Sequence, residues 1–369
     1  MTDVHPSPVL TATAAAAGFY TSDAVFRAEL EHIHLRSWFF VGLASDLPDT
    51  GDFRAIETVG GPAILVRGQD GVLRAFANTC RHRGSLLLAG SGQVHAIRCP
   101  YHAWAYRLDG TLLAAPAMEQ TPGFDKASHG LAGIRLGQWQ GLVFLNFNPG
   151  APPLLDCLGN LPDTLGCYHF EDMVCTWRHE IACNCNWKML VENALEAYHT
   201  GTVHAATVGS QREAVIPTRG DWLCLQVLSD RSVAVLTDEP PFPRIEGLTP
   251  QAQRGTYFTM ILPGSQLACA QDCMWWLAVR PVSASRSMLS LGGCFPRSTV
   301  ARPSFEAEAA PYYDRWRRVA EEDVGILEQQ QHGLSSVLFR PGRLSWRDEL
   351  PHAVQRWVLA RLPGTLAVG

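Results

Sequence analysis

The sequence predicts an α+β protein built from two domains. Its 369 residues suit two cores rather than one. A Pro- and Gly-rich stretch at residues 148–153 marks a boundary, before which short strands are dense and after which long helical segments appear. We expect an all-β domain at residues 37–150 and a helix-grip domain, an antiparallel sheet with long helices, at residues 151–369. Residues 1–36 are predicted as an N-terminal helical segment that packs on the second domain.

The elements of the first domain are short and rich in apolar and β-branched residues. Strands are predicted at residues 63–66, 72–76 and 142–147. The pair Asp109-Gly110 lies between two further apolar segments and predicts a hairpin turn.

The second domain combines strands with two helical segments. Helices are predicted at residues 187–199 and 305–332, the latter because apolar residues recur at helical intervals. The predicted strands cover residues 176–182, 222–227, 232–236, 257–262, 275–279 and 288–291.

Two short loops of the first domain each offer one thiolate and one imidazole. They are Cys80-Arg81-His82 and Cys99-Pro100-Tyr101-His102. A [2Fe–2S] cluster in which two histidines replace two cysteines on one iron needs this ligand set. Zinc is an alternative, because two cysteines and two histidines also form a closed tetrahedral site, although structural zinc sites usually pair like residues at wider gaps. A zinc-stabilised interaction module therefore remains an open hypothesis.

A second group of ligand-type residues lies in the second domain. Glu196 and His199 are three residues apart and would share a helix face. His204 leaves that register, and we predict that Gly201 stops the helix so that the chain folds back and brings both imidazoles to one metal. Two histidines and one carboxylate leave open positions for dioxygen and substrate in non-haem Fe(II) oxygenases.

Composition and charge argue against several other classes of protein. The net charge of -5, without a basic run, argues against a nucleic-acid partner. The longest apolar runs are too short to cross a bilayer, and the N-terminal apolar stretch follows no basic region, so we expect no signal peptide and a cytoplasmic location. Among the 11 cysteines, the pairs Cys183/Cys185 and Cys269/Cys273 are expected to be reduced thiols.

These motifs resemble those of a known family. The segments NTCRHRG and RCPYHAWAY resemble the two cluster loops of Rieske proteins, with Ala103 where that family more often has glycine. The pattern NWK...EN..E.YH....H is similar to the mononuclear-iron helix of Rieske-type ring-hydroxylating oxygenase α subunits. The resemblance implies a Rieske [2Fe–2S] cluster and an Fe(II) ion. Its ligand assignments are Cys80, His82, Cys99 and His102 for the cluster, and His199, His204 and Asp323 for the iron, with Glu322 and Glu328 as reserves for Asp323.

The resemblance also gives Glu196 a role. In the family, an acidic residue three before the first iron histidine bridges that histidine to a cluster histidine of a neighbouring subunit. Most members have aspartate there, whereas glutamate is shared with the branch that oxidises quaternary ammonium compounds such as carnitine and betaines. Glu196 could instead be a simple hydrogen-bond partner of His199.

The implied activity is that of a terminal oxygenase that hydroxylates or oxidatively demethylates a small molecule with O₂. A separate flavin or iron–sulfur reductase would supply the electrons, so that NAD(P)H is used only indirectly, and a head-to-tail homotrimer would carry them between subunits. A quaternary ammonium substrate would need aromatic faces. The alternative is a ring-hydroxylating mono- or dioxygenase that acts on an aromatic acid. For that substrate the same rings would serve only as apolar pocket walls. A non-catalytic Rieske electron carrier is the second alternative. The aromatic candidates are Trp275, Trp276, Tyr257 and Phe258.

Overall fold

The computed structural model describes residue 9 and residues 11–237 and 239–364. Residues 1–8 and 10 of the predicted N-terminal segment, and residues 238 and 365–369 of the predicted second domain, lie outside the described residues. The chain forms two compact units. One unit spans residues 41–151, and the other combines the chain up to residue 40 with the chain from residue 152 onward. Antiparallel sheets and helices together confirm the α+β class.

The all-β unit contains two sheets. Their strands are β1 (Phe39–Leu43), β2 (Asp52–Thr58), β3 (Gly61–Arg67), β4 (Leu73–Ala77), β5 (Ser91–Gln93), β6 (Ile97–Arg98), β7 (Ala105–Tyr106), β8 (Leu112–Ala114), β9 (Gly133–Trp139) and β10 (Leu142–Asn146). The strand order is β1-β10-β9-β4-β3-β2-β5 in one sheet and β6-β7-β8 in the other. The predicted turn is confirmed: Gly110 has φ of 87°, and the Asp109 carboxylate accepts the N–H of Thr111 at 2.9 Å.

The second unit is a seven-stranded antiparallel sheet with helices. Its strands are β11 (Met173–Cys183), β12 (Glu213–Val215), β13 (Trp222–Leu228), β14 (Gly255–Ile261), β15 (Ser265–Cys269), β16 (Met274–Ser283) and β17 (Arg286–Pro296), in the order β11-β17-β16-β15-β14-β13-β12. Its α-helices are α1 (Ala17–Thr21), α2 (Asp23–Glu29), α3 (Leu154–Leu158), α4 (Leu161–Leu165), α5 (Trp187–Asn193), α6 (Thr200–Val203), α7 (Arg297–Val300), α8 (Phe305–Gly333) and α9 (Glu349–Leu359).

The predicted strand at residues 232–236 is wrong. The Ser232 hydroxyl lies 2.6 Å from the Asp272 carboxylate and accepts the N–H of Ala234, which bends the chain into a turn. Strand β15 was not predicted, because its sequence SQLAC lacks clear β-propensity and alternation.

The predicted helix at residues 187–199 is wrong at its end. Helix α5 ends at Asn193, and Gly201 lies inside α6 instead of stopping a helix. The Gln266 side chain donates to the carbonyl of Ala194, while the N–H groups of Tyr198 and His199 donate to the Glu196 carboxylate. These two side chains replace the backbone hydrogen bonds that would continue α5, so the chain turns before His199.

Two further predictions concern the whole chain. No disulfide joins any two cysteines of the described residues, so Cys183/Cys185 and Cys269/Cys273 are thiols in this structure. Among the described residues, no helix combines the length and apolar character that a membrane crossing requires.

Candidate metal centres

The two cluster-type loops have the same backbone closure. The carbonyl of Cys80 accepts the N–H of Gly84 at 2.9 Å, and the carbonyl of Cys99 accepts that of Ala103 at 3.2 Å. The N–H of each cysteine donates five residues ahead, to Ser85 at 2.8 Å and to Trp104 at 2.7 Å. The residue four after each cysteine has positive φ, 75° at Gly84 and 59° at Ala103. Sequence reasoning identified the ligand types but missed this equivalence.

The four predicted cluster residues come together in the all-β unit, the two histidines by ring contact and the two cysteines through their side chains. Cys80 and Cys99 are buried, whereas His82 and His102 are exposed, and the two imidazole centroids lie 4.8 Å apart. Burial acts to raise the pKa of Cys99, but backbone N–H groups of Tyr101 and His102 and the side chains of Cys80 and Ser85 outweigh it and hold the pKa below its ordinary value.

Aromatic residues cover this group. The Tyr106 hydroxyl lies 3.4 Å from the Cys80 sulfur and accepts the N–H of Arg81 at 3.0 Å. Buried Trp104 stacks on His82 with ring centroids 5.1 Å apart. The two thiols lie in a protected core and both imidazoles face outward. This donor set fits a [2Fe–2S] cluster in which the two cysteines would hold one iron and the two histidines the other.

The second predicted group also comes together. One ligand atom from each of His199, His204 and Asp323 can be chosen so that all lie within 4.8 Å of one another. Asp323 Oδ1 lies 3.0 Å from Nε2 of His204 and 3.4 Å from Nε2 of His199. Yet this buried oxygen has no hydrogen bond of acceptable geometry among the described residues. The two Nε2 atoms and Oδ1 therefore converge without hydrogen-bonding one another, as three ligands around a cation would.

The outer nitrogen of each imidazole already has a carboxylate partner. Nδ1 of His199 lies 2.5 Å from Oε1 of Glu196, and Nδ1 of His204 lies 2.7 Å from Oε2 of Glu322. A carboxylate can only accept, so each Nδ1 carries a proton, and Nε2 is the ring atom through which each imidazole would bind a metal, with loss of any proton that it carries. The Glu322 carboxylate is held in turn by the Thr207 hydroxyl at 2.8 Å. These observations fit a metal site.

The electrostatics of the site agree with this arrangement. Burial opposes the charge on His199, but the carboxylates of Asp323 and Glu196 outweigh it and raise its pKa to about 9. Burial likewise opposes the charge on Asp323, but the two imidazoles hold its pKa at about 2. The pKa of His204 is raised against burial by Asp323 and Glu322. Strong negative charge therefore surrounds the two imidazoles, as a divalent cation requires.

The reserve carboxylates lie elsewhere. Glu322 contacts the outer nitrogen of His204 and does not join the three converging atoms. Glu328 accepts the backbone and side-chain N–H groups of Asn184 at 2.7 and 3.0 Å, so it anchors the end of β11. On α8, Asp323 is thus the acidic residue that the structure brings to both histidines.

A pocket of about 90 Å³ adjoins the three converging residues. Helix α8 lines it with one face, because residues 315, 316, 319, 320 and 323 recur at helical spacing. Sequence reasoning missed Arg315 and Trp316 as pocket residues. The available signal was a charged residue, Arg315, on the same face of the predicted helix as Trp316 and Val319.

The four predicted aromatic candidates separate into two pairs. Trp275 and Phe258 line the pocket. Trp276 instead packs edge-on against Phe40, and Tyr257 packs against Tyr168, so neither belongs to the pocket wall. Strand alternation explains the division, since adjacent residues of β14 and β16 point to opposite faces of the sheet.

Two family models match this chain. The Rieske [2Fe-2S] domain matches residues 37–125, and the ring hydroxylating alpha subunit (catalytic domain) matches residues 170–364. These matches show the Rieske [2Fe–2S] and mononuclear-iron cofactor types that the resemblance implied.

Individual relatives agree with the family matches. The carnitine monooxygenase oxygenase subunit of Escherichia coli (strain K12) is 40% identical over 191 residues, which cover 51% of each chain, so this chain matches about half the length of that relative. The glycine betaine monooxygenase oxygenase subunit of Chromohalobacter salexigens is 27% identical over 361 residues, covering 89% of this chain and 80% of the relative.

A solved structure matches a larger share of this chain than either of these two relatives does. It is a quaternary ammonium Rieske monooxygenase, studied for carnitine oxidation by gut microbiota and for inter-subunit electron transfer. The TM-score is 0.83 at 27% identity, over 95% of this chain and 96% of that one. The family matches agree with the two groups of ligand-type residues described above. The chain therefore belongs to the family of ring-hydroxylating oxygenase α subunits, and a Rieske [2Fe–2S] domain precedes its catalytic domain.

Proposed function

We propose that this chain is the terminal oxygenase component of a Rieske non-haem iron monooxygenase that hydroxylates or oxidatively demethylates a quaternary ammonium compound. The observation that carries the proposal is the meeting of Nε2 of His199, Nε2 of His204 and Oδ1 of Asp323, with both Nδ1 atoms held by carboxylates. This site argues against a non-catalytic electron carrier, which would need no second metal site.

The ligand assignment is part of the proposal. Cys80, His82, Cys99 and His102 would hold the [2Fe–2S] cluster, and His199, His204 and Asp323 would hold the iron. When bound, the cluster stores one electron and the iron activates O₂. Glu196 and Glu322 hold the Nδ1 proton of each imidazole, so Nε2 would be the atom that binds the iron.

The substrate class rests on the pocket and on the relatives. Trp275, Trp316 and Phe258 give the pocket aromatic walls, which attract a cation that cannot donate a hydrogen bond. Two of the relatives are named for carnitine and glycine betaine, and both of these compounds carry a trimethylammonium group.

Electron delivery is proposed to come from a separate flavin or iron–sulfur reductase that uses NAD(P)H, and to run between subunits of a homotrimer. Exposed His82 and His102 would face Glu196 of the neighbouring subunit. The Glu196 side chain is 12% exposed and is fixed by His199 Nδ1 and by the N–H groups of Tyr198 and His199. Its position is therefore set before a partner approaches.

Replacement of Asp323 tests the iron site. Asp323→Ala removes the carboxylate ligand, so we expect loss of the mononuclear iron and of turnover with an unchanged visible spectrum of the cluster. The matched control is Glu328→Ala on the same helix, which should keep both metals. Iron and acid-labile sulfide are measured together. If Asp323→Ala retained its mononuclear iron, Asp323 would not be the carboxylate ligand and another carboxylate would have to be assigned.

Replacement of Glu196 tests the electron path. Glu196→Gln keeps the shape of the side chain but removes its charge, so we expect both metals to remain while reduction-driven single turnover slows by at least tenfold. Glu213→Gln, whose carboxylate pairs with Arg347, is the control for a carboxylate near the same loop. Single turnover at the normal rate would remove the bridging role.

Oxygen consumption with a compatible reductase tests the substrate class. We expect it to be coupled to product formation with carnitine, glycine betaine or a related trimethylammonium compound. Coupled consumption with aromatic acids alone would instead establish the ring-hydroxylating alternative.

A further inference from the structure

Arg315 is a buried cation without an anionic partner in the candidate iron pocket. Its side chain is 4% exposed and lines the pocket together with Trp316 and Asp323. Among the described residues it forms neither an ion pair nor a hydrogen bond, and its Nε is buried without an acceptor. Its guanidinium group makes a cation–π contact with Trp275, and the guanidinium carbon lies 5.0 Å from the centroid of that ring.

A second donor in the same wall also lacks an acceptor. The indole Nε1 of Trp316 is buried and has no hydrogen-bond partner among the described residues. Trp316 is adjacent to Arg315 on α8, and both side chains line the pocket. Buried donors are almost always paired, since leaving them unpaired costs free energy. Two neighbouring unpaired donors in one pocket wall point to an acceptor that the ligand supplies.

The charges of the pocket identify that acceptor. Within the described pocket lining, Arg315 is the only lysine or arginine, and the two carboxylates are already engaged, Glu196 with His199 and Asp323 with both histidines. Burial lowers the pKa of Arg315 to about 10, so the guanidinium remains positive at neutral pH. A buried guanidinium is best satisfied by a planar anion that accepts two hydrogen bonds.

We propose that Arg315, assisted by the indole N–H of Trp316, binds a carboxylate of the substrate and thereby selects zwitterionic betaines over cations without a carboxylate. This inference rests on the proposed function and deepens it. The cationic end of such a substrate would lie against the other aromatic walls, Phe258 and Trp316, because Arg315 already contacts the Trp275 ring. The carboxylate would fix the orientation of the substrate relative to the candidate iron ligands.

The test measures ligand binding by calorimetry with the holoenzyme, under argon. Carnitine and glycine betaine are compared with their primary amides, which keep the trimethylammonium group and lose the negative charge. The wild-type protein should bind each acid at least tenfold more tightly than its amide. Equal affinity for acid and amide would overturn the proposal without any variant.

Variants then assign the effect to Arg315. Arg315→Gln should reduce the affinity for the acids at least tenfold and leave that for the amides unchanged, and Arg315→Lys should recover part of the loss. The control is Arg317→Gln, at an exposed position of α8. If Arg315→Gln weakens acid and amide equally, Arg315 has only a structural role and the proposal fails.

Failure of the proposed function gives a different result. In that case no trimethylammonium ligand binds, whether acid or amide, while butyrate or benzoate bind with the same dependence on Arg315. If those carboxylates also fail to depend on Arg315, the anion site itself is rejected.

Discussion

Ala103 has a backbone conformation that alanine normally avoids. Its φ of 59° lies in the left-handed region, and the equivalent residue of the other cluster loop is Gly84, with φ of 75°. A Cβ in this region approaches the following carbonyl oxygen, whereas glycine has no such contact. At sequence level the alanine differs from the family pattern by one methyl group, and the structure shows that this methyl group is placed on a strained backbone.

Exchanging the two residue types should therefore have opposite effects on stability. Ala103→Gly relieves about 1–2 kcal/mol of strain but gives the unfolded chain more freedom, so we expect a net gain of about 0.5–1 kcal/mol. Gly84→Ala should lose a similar amount, because its added Cβ would meet nothing within 4 Å and only the backbone term changes. Chemical denaturation of the holo-protein measures both. Destabilisation by Ala103→Gly would show that the methyl group makes a contact of its own.

Among the elements, helix α8 contacts strand β17 through Trp316, which lies directly against Gly293. A Cβ added to Gly293 of β17 would lie 2.0 Å from Cζ3 of Trp316. The absence of a side chain at that position lets the indole lie directly on the strand. Trp316 also contacts the rings of Trp275 and Phe295, at centroid distances of 5.7 and 5.8 Å. Its position, and with it one wall of the pocket, is fixed from several sides.

Two glycine substitutions separate packing from helix propensity. Gly293→Ala should destabilise the protein by about 1–3 kcal/mol, because the indole must leave its place on the strand. Gly325→Ala on the exposed side of α8 meets nothing within 4 Å and should stabilise the helix by up to about 1 kcal/mol. Thermal unfolding compares the two variants with the wild type. A neutral Gly293→Ala would mean that the sheet and α8 separate without cost.

At the scale of the whole molecule, the sequence predicted the fold class and eight of the nine strands that it placed, although the structure has further strands that it missed. The three predicted iron ligands His199, His204 and Asp323 lie together in the structure. Ligand types and spacing are local, and they persist however the chain packs. The end of α5 was not predictable from the local sequence. It depends on Gln266, a residue distant in sequence, whose side chain donates a hydrogen bond to the carbonyl of Ala194. Arg315 was missed for a similar reason: its lack of a partner is a property of the assembled pocket and not of α8 alone.

A buried ion pair joins the two distant parts of the second unit. Lys188 Nζ of α5 lies 2.5 Å from Oε1 of Glu29 in α2, and both side chains are fully buried. The Trp187 indole donates to the other Glu29 oxygen at 2.8 Å. Removing one charge of such a pair leaves the other buried without compensation.

We therefore expect Glu29→Gln to destabilise the protein by about 3 kcal/mol or more, because buried Lys188 loses its counter-charge while glutamine still accepts from Trp187. The double variant Glu29→Gln/Lys188→Met should recover most of the loss. Urea denaturation followed by tryptophan fluorescence measures the difference. A double variant as unstable as the single one would show that packing around Lys188, and not its charge, dominates.

The same ion pair, with the hydrogen bonds from the Tyr20 hydroxyl to Glu192 and from the Gln355 side chain to Tyr20, has a consequence for biosynthesis. The segment that holds Tyr20 and Glu29 finds these partners only after residues 188, 192 and 355 have been translated. Until then its apolar side chains, Phe19 and Tyr20 among them, have no core to join. Production of this chain in a foreign host should accordingly benefit from slow translation or from chaperones that protect this segment during synthesis.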